Sequence, residues 1–128
     1  MARKIAFLIG CALFASLAES GADTVNVTST ADDTDGDVSS IANLVLSNGG
    51  PDGTISLREA ILAANNTAGA NSIEFDIPAS DHGYNPTTGQ WVIAPASTYP
   101  GITAGELTID GFSQTWNRGD TNPAGPEI

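Results

Sequence analysis

The sequence predicts a mainly β fold in which short strands, separated by turns, follow one short helix. Apolar and polar residues alternate in several short segments, as they do in strands that bury one face. Glycine and proline interrupt these segments at close intervals and favour turns between them. Apolar residues recur at helical spacing most clearly near residue 60. Short strands with a helix at the front fit the first coil or two of a solenoid.

Four segments are predicted to be strands, at 24–28, 72–77, 91–93 and 106–110. Alternation in the longer segments places every second residue on one face, which is predicted to point into a core. The residues predicted to face inward are Val25, Val27, Ile73, Phe75, Ile77, Leu107 and Ile109. A segment at 38–53 has a few apolar residues at helical spacing before glycine and proline, and it is predicted to be a short helical turn or excursion.

The front helix is predicted to begin at Ser56. Ser56 and Glu59 have the spacing of a capping box, in which each side chain bonds the backbone N–H of the other residue. Leu57, Ala60 and Ile61 then lie on one apolar stripe. A helix this short is marginal in water, so the stripe must pack on another element. We interpret residues 56–61 as a structural cap.

Arg58 lies in the first turn of this helix, where a cation opposes the helix dipole at a cost of about 0.3–1 kcal/mol. A favourable contact elsewhere must offset that cost. We therefore predict that Arg58 is at least half buried and bonds backbone carbonyls or a carboxylate outside its own helix.

The first 22 residues have the pattern of a secretory signal peptide. Arg3 and Lys4 precede an apolar run at 5–17, and cleavage is predicted after Ala18 or Ala22. The apolar run is too short to span a bilayer as a stable helix, so it indicates export, to a secreted or cell-surface location, rather than anchoring. The chain has 128 residues, which leaves one small domain at 23–128.

The chain is strongly acidic, with a formal net charge of −11. Such a surface repels the phosphate backbones of nucleic acids and the head groups of anionic lipids. We therefore expect neither a nucleic-acid partner nor direct insertion into a membrane. Arg58 and Arg118 are the only lysine or arginine residues beyond the predicted signal peptide, and no cysteine follows Cys11.

Several motifs occur together in a recognisable order. SLREAI at 56–61 is followed by an Ala-Asn pair, by SIEFDIP at 72–78, and by LTIDG at 107–111 with Ser113-Gln114 behind it. This order resembles the CSLREA-type N-terminal module of secreted bacterial right-handed parallel β-helix proteins. Members of that family usually have a cysteine before the serine, where this chain has Ile55. The disulfide that the family pattern suggests therefore cannot form here.

The resemblance implies that residues 23–128 are the N-terminal capping helix and first coils of a right-handed parallel β-helix, at the front of a longer solenoid. The implied function is that of a non-catalytic capping segment in an exported, adhesin-like protein that contacts polysaccharide or other cell-surface components. The cap would shield the open first coil from aggregation. The alternative is the N-terminal part of a β-helix polysaccharide lyase or glycoside hydrolase whose active site lies beyond residue 128.

The acidic loop at 32–37 contains the best candidates for metal binding. Asp33, Asp35 and Asp37 alternate around a glycine, as carboxylates do at the start of a calcium loop. The glutamate that would close such a loop is missing, so a solvated acidic turn is the alternative. No other cofactor is predicted.

No catalytic residue is predicted within the chain. Glu74 and Asp76 share one strand face, but a pair of catalytic carboxylates also needs a cleft, and a solvated face is the simpler interpretation. Four aromatic side chains could stack on sugars, but core or loop packing is the default interpretation for a chain with so few of them; they are Tyr84, Trp91, Tyr99 and Trp116.

Overall fold

The structure is a computed structural model that describes residues 21–128. The predicted signal peptide lies outside the described residues except for its last two positions. The strands are β1 (Asp23–Val27), β2 (Ala70–Phe75), β3 (Tyr84–Asn85), β4 (Gln90–Trp91) and β5 (Glu106–Asp110), and the helices are α1 (Ile41–Leu46), α2 (Leu57–Asn65) and α3 (Ser113–Arg118). Among these residues, no helix has the length and apolar character needed to cross a membrane.

A three-stranded parallel sheet in the order β1-β2-β5 organises the domain. Its register aligns Val25 with Ile73 and Ile109, and places Glu74 directly beside Asp110. Alternation along β1 and β2 buries Val25 and Ile73 completely and leaves their polar neighbours on the other face. The sheet therefore has one apolar face and one polar face.

The long connection from β1 to β2 folds into α1 and α2, and α2 contacts both strands. Ala60, Ala63 and Ala64 are fully buried on the strand side of α2, and Ile61 is almost so. The small alanines let the helix approach the sheet closely, which supplies the packing that such a short helix needs. Helix α1 packs against α2 and β1 and adds Ile41 and Leu44 to the same core.

A turn containing Gly49 ends α1. Gly49 has φ of +76°, and a Cβ placed there would lie 1.7 Å from the carbonyl oxygen of Thr54. Only glycine fits this position, because both the backbone conformation and the close approach exclude a side chain.

Strands β3 and β4 form a separate antiparallel pair around Trp91. The Trp91 ring lies 4.5 Å from that of Tyr84, and its indole N–H donates to the carbonyl oxygen of Pro78 at 3.0 Å. The side chain is 2% exposed. Trp91 is therefore part of the hydrophobic core.

The prediction of a mainly β fold built as the first coils of a right-handed parallel β-helix is wrong. Residues 21–128 form a small mixed α/β domain with three helices and five short strands, divided between a three-stranded and a two-stranded sheet. Parallel pairing of β1 with β2 is common to both architectures. However, the chain between them forms two helices instead of further strands, so no solenoid coil is completed.

The sequence predicts the individual helices and strands better than it predicts the architecture. The predicted strand at 106–110 is β5, and residues 38–53 contain the short helix α1. Helix α3 was not predicted. Ile109 was predicted to face inward, but it is 43% exposed because β5 lies at the edge of the sheet, beyond the cover of α2.

Candidate functional site

The N-terminus of α2 has the capping box that the sequence predicts. The Ser56 hydroxyl accepts from the Glu59 backbone N–H at 3.1 Å, and the Glu59 carboxylate accepts from the Ser56 N–H at 3.0 Å. The same carboxylate also accepts from the backbone N–H groups of Asp35 and Gly36, at 3.0 and 2.8 Å. Glu59 is completely buried. We call residues 32–36 and 56–59 together the cap region.

Arg58 makes the contacts outside its helix that the dipole argument predicts. Its guanidinium donates two hydrogen bonds to the Asp32 carboxylate, at 2.8 and 2.9 Å, and its side chain is 13% exposed. It also donates to the carbonyl oxygens of Ser97 and Thr98 and lies 5.1 Å from the centre of the Tyr99 ring. The hydrogen bonds from Arg58 lower the pKa of Asp32. Arg58 is therefore a structural bridge between two loops.

The structure brings Asp33 and Asp35 together with Asp52, and it places Asp37 elsewhere. One carboxylate oxygen from each of these three residues lies within 4.8 Å of the others. Asp37 instead accepts from the backbone and hydroxyl of Ser39. A hard cation such as calcium prefers such a set of oxygens, so calcium binding stays a prediction, with Asp52 in place of Asp37.

Asp33 has the least favourable surroundings of the three carboxylates. Burial raises its pKa, and the negative charges of Asp52 and Asp35 raise it further. Its Oδ1 atom is buried and has no hydrogen-bond partner in the described part of the chain. Asp52, in contrast, accepts from the hydroxyl and backbone of Thr54, and these bonds lower its pKa.

A different group of residues surrounds a cleft where β2, β5 and α3 meet. The cleft has a volume of about 230 Å³ and is lined by Glu74, Asp110, Phe112, Ser113, Trp116 and Asn117. We call it the edge cleft. Phe112 and Trp116 are 64% and 79% exposed, and their rings meet edge to face with centres 6.0 Å apart. Two aromatic rings thus lie in solvent beside two carboxylates.

Side chains of α3 bond this helix to the end of β2. The Ser113 hydroxyl accepts from the Phe75 N–H at 2.7 Å, and the Gln114 amide bonds both backbone groups of Ile77. Asn117 donates to the carbonyl oxygen of Phe75 at 2.9 Å. These amide and hydroxyl groups replace the hydrogen bonds of a neighbouring strand, because they bond backbone N–H and carbonyl groups at the end of β2, beyond its last pairing with β5. These bonds therefore hold Trp116, on α3, and Phe112, directly before it, beside the end of β2.

The edge cleft was missed by sequence reasoning except for the suggestion that Trp116 could stack on a sugar. The sequence places Glu74 together with Asp76, because both lie on one face of the same predicted strand. In the structure, Asp76 instead forms an ion pair with Arg118. The neighbour of Glu74 across the sheet is Asp110, through the register of β2 with β5. The pair could have been predicted only if the pairing of β2 with β5, and its register, had been known.

The chain matches no family model, no curated protein and no solved structure. Its likeness to the CSLREA-type module therefore stays a prediction from the motifs alone.

Proposed function

We propose that this chain is an exported, non-catalytic module that binds polysaccharide through the edge cleft, in the manner of an adhesin. The observation that carries the proposal is the exposure of Trp116 and Phe112 beside polar side chains. An indole that is 79% exposed forgoes the favourable free energy of burial, of about 1.5–3 kcal/mol for a large apolar side chain. Sugars offer apolar ring faces and hydroxyl groups together, and they complement an aromatic surface with polar neighbours.

The placement of the carboxylates supports binding rather than hydrolysis. Glycoside hydrolysis needs two carboxyl groups that flank a scissile bond between two bound sugar units. Glu74 and Asp110 lie on neighbouring strands in a cleft of about 230 Å³, which has room for about one sugar unit. A cleft of this size holds one unit of a chain and does not enclose the bond between two units.

An exported location is part of the proposal. Its support is the basic pair Arg3 and Lys4, the apolar run that follows and the small residues at both candidate cleavage positions.

The two tryptophans make this proposal directly testable by fluorescence. Trp91 is 2% exposed and Trp116 is 79% exposed, so acrylamide quenching reports mainly on Trp116. We expect an oligosaccharide that binds the edge cleft to protect the fluorescence from acrylamide and to shift the emission to shorter wavelength. The Trp116→Ala variant should lose both effects and most of its affinity for a polysaccharide matrix.

Leu46→Ala is the matched control, because Leu46 is an apolar side chain on α1 that is 85% exposed and far along the chain from the edge cleft. It should bind as the parent protein does. The proposal is wrong if no sugar in a broad oligosaccharide panel protects Trp116, or if Leu46→Ala weakens binding as much as Trp116→Ala.

A further inference from the structure

Glu74 and Asp110 are an unusual pair for a sheet surface. They are directly opposite each other in the parallel register, where two like charges destabilise the sheet. Arg118, the cation nearest to Asp110 along the chain, is engaged by the carboxylate and the carbonyl oxygen of Asp76. In residues 21–128, no ion pair includes Glu74 or Asp110. The two carboxylates therefore leave an uncompensated negative charge at the floor of the edge cleft.

The aromatic rings beside this charge favour the same kind of ligand. The faces of aromatic rings attract cations, most strongly at tryptophan. Phe112 and Trp116 meet edge to face, with an angle of 74° between their planes, so they present faces in two directions. Carboxylates and ring faces together recognise a group that is both cationic and attached to an apolar surface.

We propose that the edge cleft selects a sugar that carries a free ammonium group, as in a polymer of amino sugars. The sugar ring stacks on Trp116, and the ammonium group lies between the Glu74 and Asp110 carboxylates. This inference rests on the polysaccharide-binding function proposed above. The cleft, at about 230 Å³, is smaller than the roughly 300–1,000 Å³ of typical small-molecule sites, which suits one sugar unit with the rest of the polymer in solvent.

A lysine side chain of a protein partner has the same charge but fits this geometry less well. A flexible alkyl ammonium group is best held by rings that enclose it. Trp116 is too exposed to enclose a ligand, and a flat sugar ring uses an open indole face more fully. A lysine peptide is therefore an informative competitor in the test.

The test compares three soluble probes by calorimetry and by acrylamide protection at about pH 6, where amino groups are protonated. The probes are the glucosamine trimer, the N-acetylglucosamine trimer and trilysine. We expect the glucosamine trimer to bind about tenfold more tightly than the acetylated one, because acetylation removes the charge and keeps the rings. Its affinity should also fall as salt is added.

Variants localise the effect. Glu74→Gln and Asp110→Asn should reduce the affinity for the glucosamine trimer to that for the acetylated trimer, without changing the latter. Asp110→Asn keeps the side-chain acceptor for the Phe112 N–H, so the turn before α3 is preserved. Glu106→Gln removes the same charge from an exposed position at the other end of β5 and should have less than about a twofold effect.

The possible failures are distinguishable. Equal, Trp116-dependent binding of both sugar trimers would keep the polysaccharide function and overturn the ammonium assignment. Binding of neither trimer, in a chain that binds no other sugar of the panel, would remove the polysaccharide function itself. The assignment to an amino sugar is also wrong if trilysine binds as tightly as the glucosamine trimer, or if Glu106→Gln weakens binding as much as Glu74→Gln.

Discussion

The cap region and the edge cleft both combine carboxylates with helix ends, yet they use them in opposite ways. In the cap region Glu59 is fully buried and accepts three backbone N–H groups, and Asp32 is bonded to Arg58. In the edge cleft Glu74 and Asp110 face each other without a cation, beside exposed aromatic rings. Charged groups that pair with one another stabilise a fold, whereas carboxylates that lack a cation at a surface are available to a ligand.

This contrast also separates two consequences of mutation. Substitutions of Glu59 or Arg58 in the cap region should reduce stability, because the groups bonded to these two side chains would lose their hydrogen bonds. Substitutions in the edge cleft should leave stability nearly unchanged and alter binding.

Replacing Glu59 with alanine should have the largest effect. Three backbone N–H groups would lose their buried acceptor, and we expect the free energy of unfolding to fall by about 3–5 kcal/mol. Urea denaturation followed by circular dichroism measures this change. Glu59→Gln keeps one carbonyl oxygen and should retain part of the stability if the alanine variant does not fold.

Glu106→Gln serves as the control for Glu59, because it removes a carboxylate from an exposed position and should change stability by less than about 0.5 kcal/mol. If Glu59→Ala unfolds at the same urea concentration as Glu106→Gln, the buried carboxylate does not hold loop 32–36 to α2.

Removing Arg58 should have the next largest effect. Arg58→Ala would free the Asp32 carboxylate and two carbonyl groups, and we expect Tm to fall by roughly 4–8 °C. Arg58→Lys should recover only part of this loss, since lysine cannot make both bonds to one carboxylate in the planar geometry of a guanidinium. Full recovery by lysine would show that charge alone, and not the paired hydrogen bonds, joins the two loops.

The cap region was largely predictable from sequence because its signals are local. Ser56 and Glu59 are three residues apart, so the capping box follows from spacing alone. Arg58 was identified because a cation is unfavourable in a first helical turn. The bonds from Asp35 and Gly36 to Glu59 were not predicted, since they join positions 23 and 24 residues apart.

The edge cleft was largely unpredictable for the same reason. Helix α3, with the sequence SQTWNR, has no apolar stripe and forms because its polar side chains bond the end of β2. Glu74 and Asp110 meet only through the pairing of β2 with β5. The architecture was missed because alternation identifies strands and their faces but does not say whether helices or further strands connect them.

Asp33 offers a smaller test within the cap region itself. Burial and the neighbouring charges of Asp52 and Asp35 raise its pKa, so the folded protein binds a proton more tightly there than the unfolded chain does. The contribution of this group to stability therefore decreases as pH rises above 3.8, through its raised folded pKa. Asp32 and Asp37 have lowered pKa values and act in the opposite direction, because their contribution is lost as pH falls below 3.8.

Asp33→Asn should stabilise the protein at neutral pH by up to about 1 kcal/mol. When the free energy of unfolding is measured against pH, the variant should lack the part of the decrease above pH 3.8 that Asp33 causes in the parent. If the cluster binds calcium, added calcium should raise the Tm of the parent protein more than the Tm of Asp33→Asn. A variant that is less stable than the parent at neutral pH without calcium would contradict the repulsion argument.

The smallest change in stability is expected at the edge cleft, where Trp116→Ala should alter the free energy of unfolding by less than about 0.5 kcal/mol. The reason is that a side chain which is 79% exposed loses little burial when it is removed. Trp91→Phe is the internal comparison, because it deletes the buried indole N–H that bonds Pro78 and should cost about 1–2 kcal/mol. Urea denaturation of both variants measures the two changes side by side. If Trp116→Ala destabilises the domain as much as Trp91→Phe does, then Trp116 is part of the core's support, and the contrast between a region built for folding and a region left free for a ligand no longer holds.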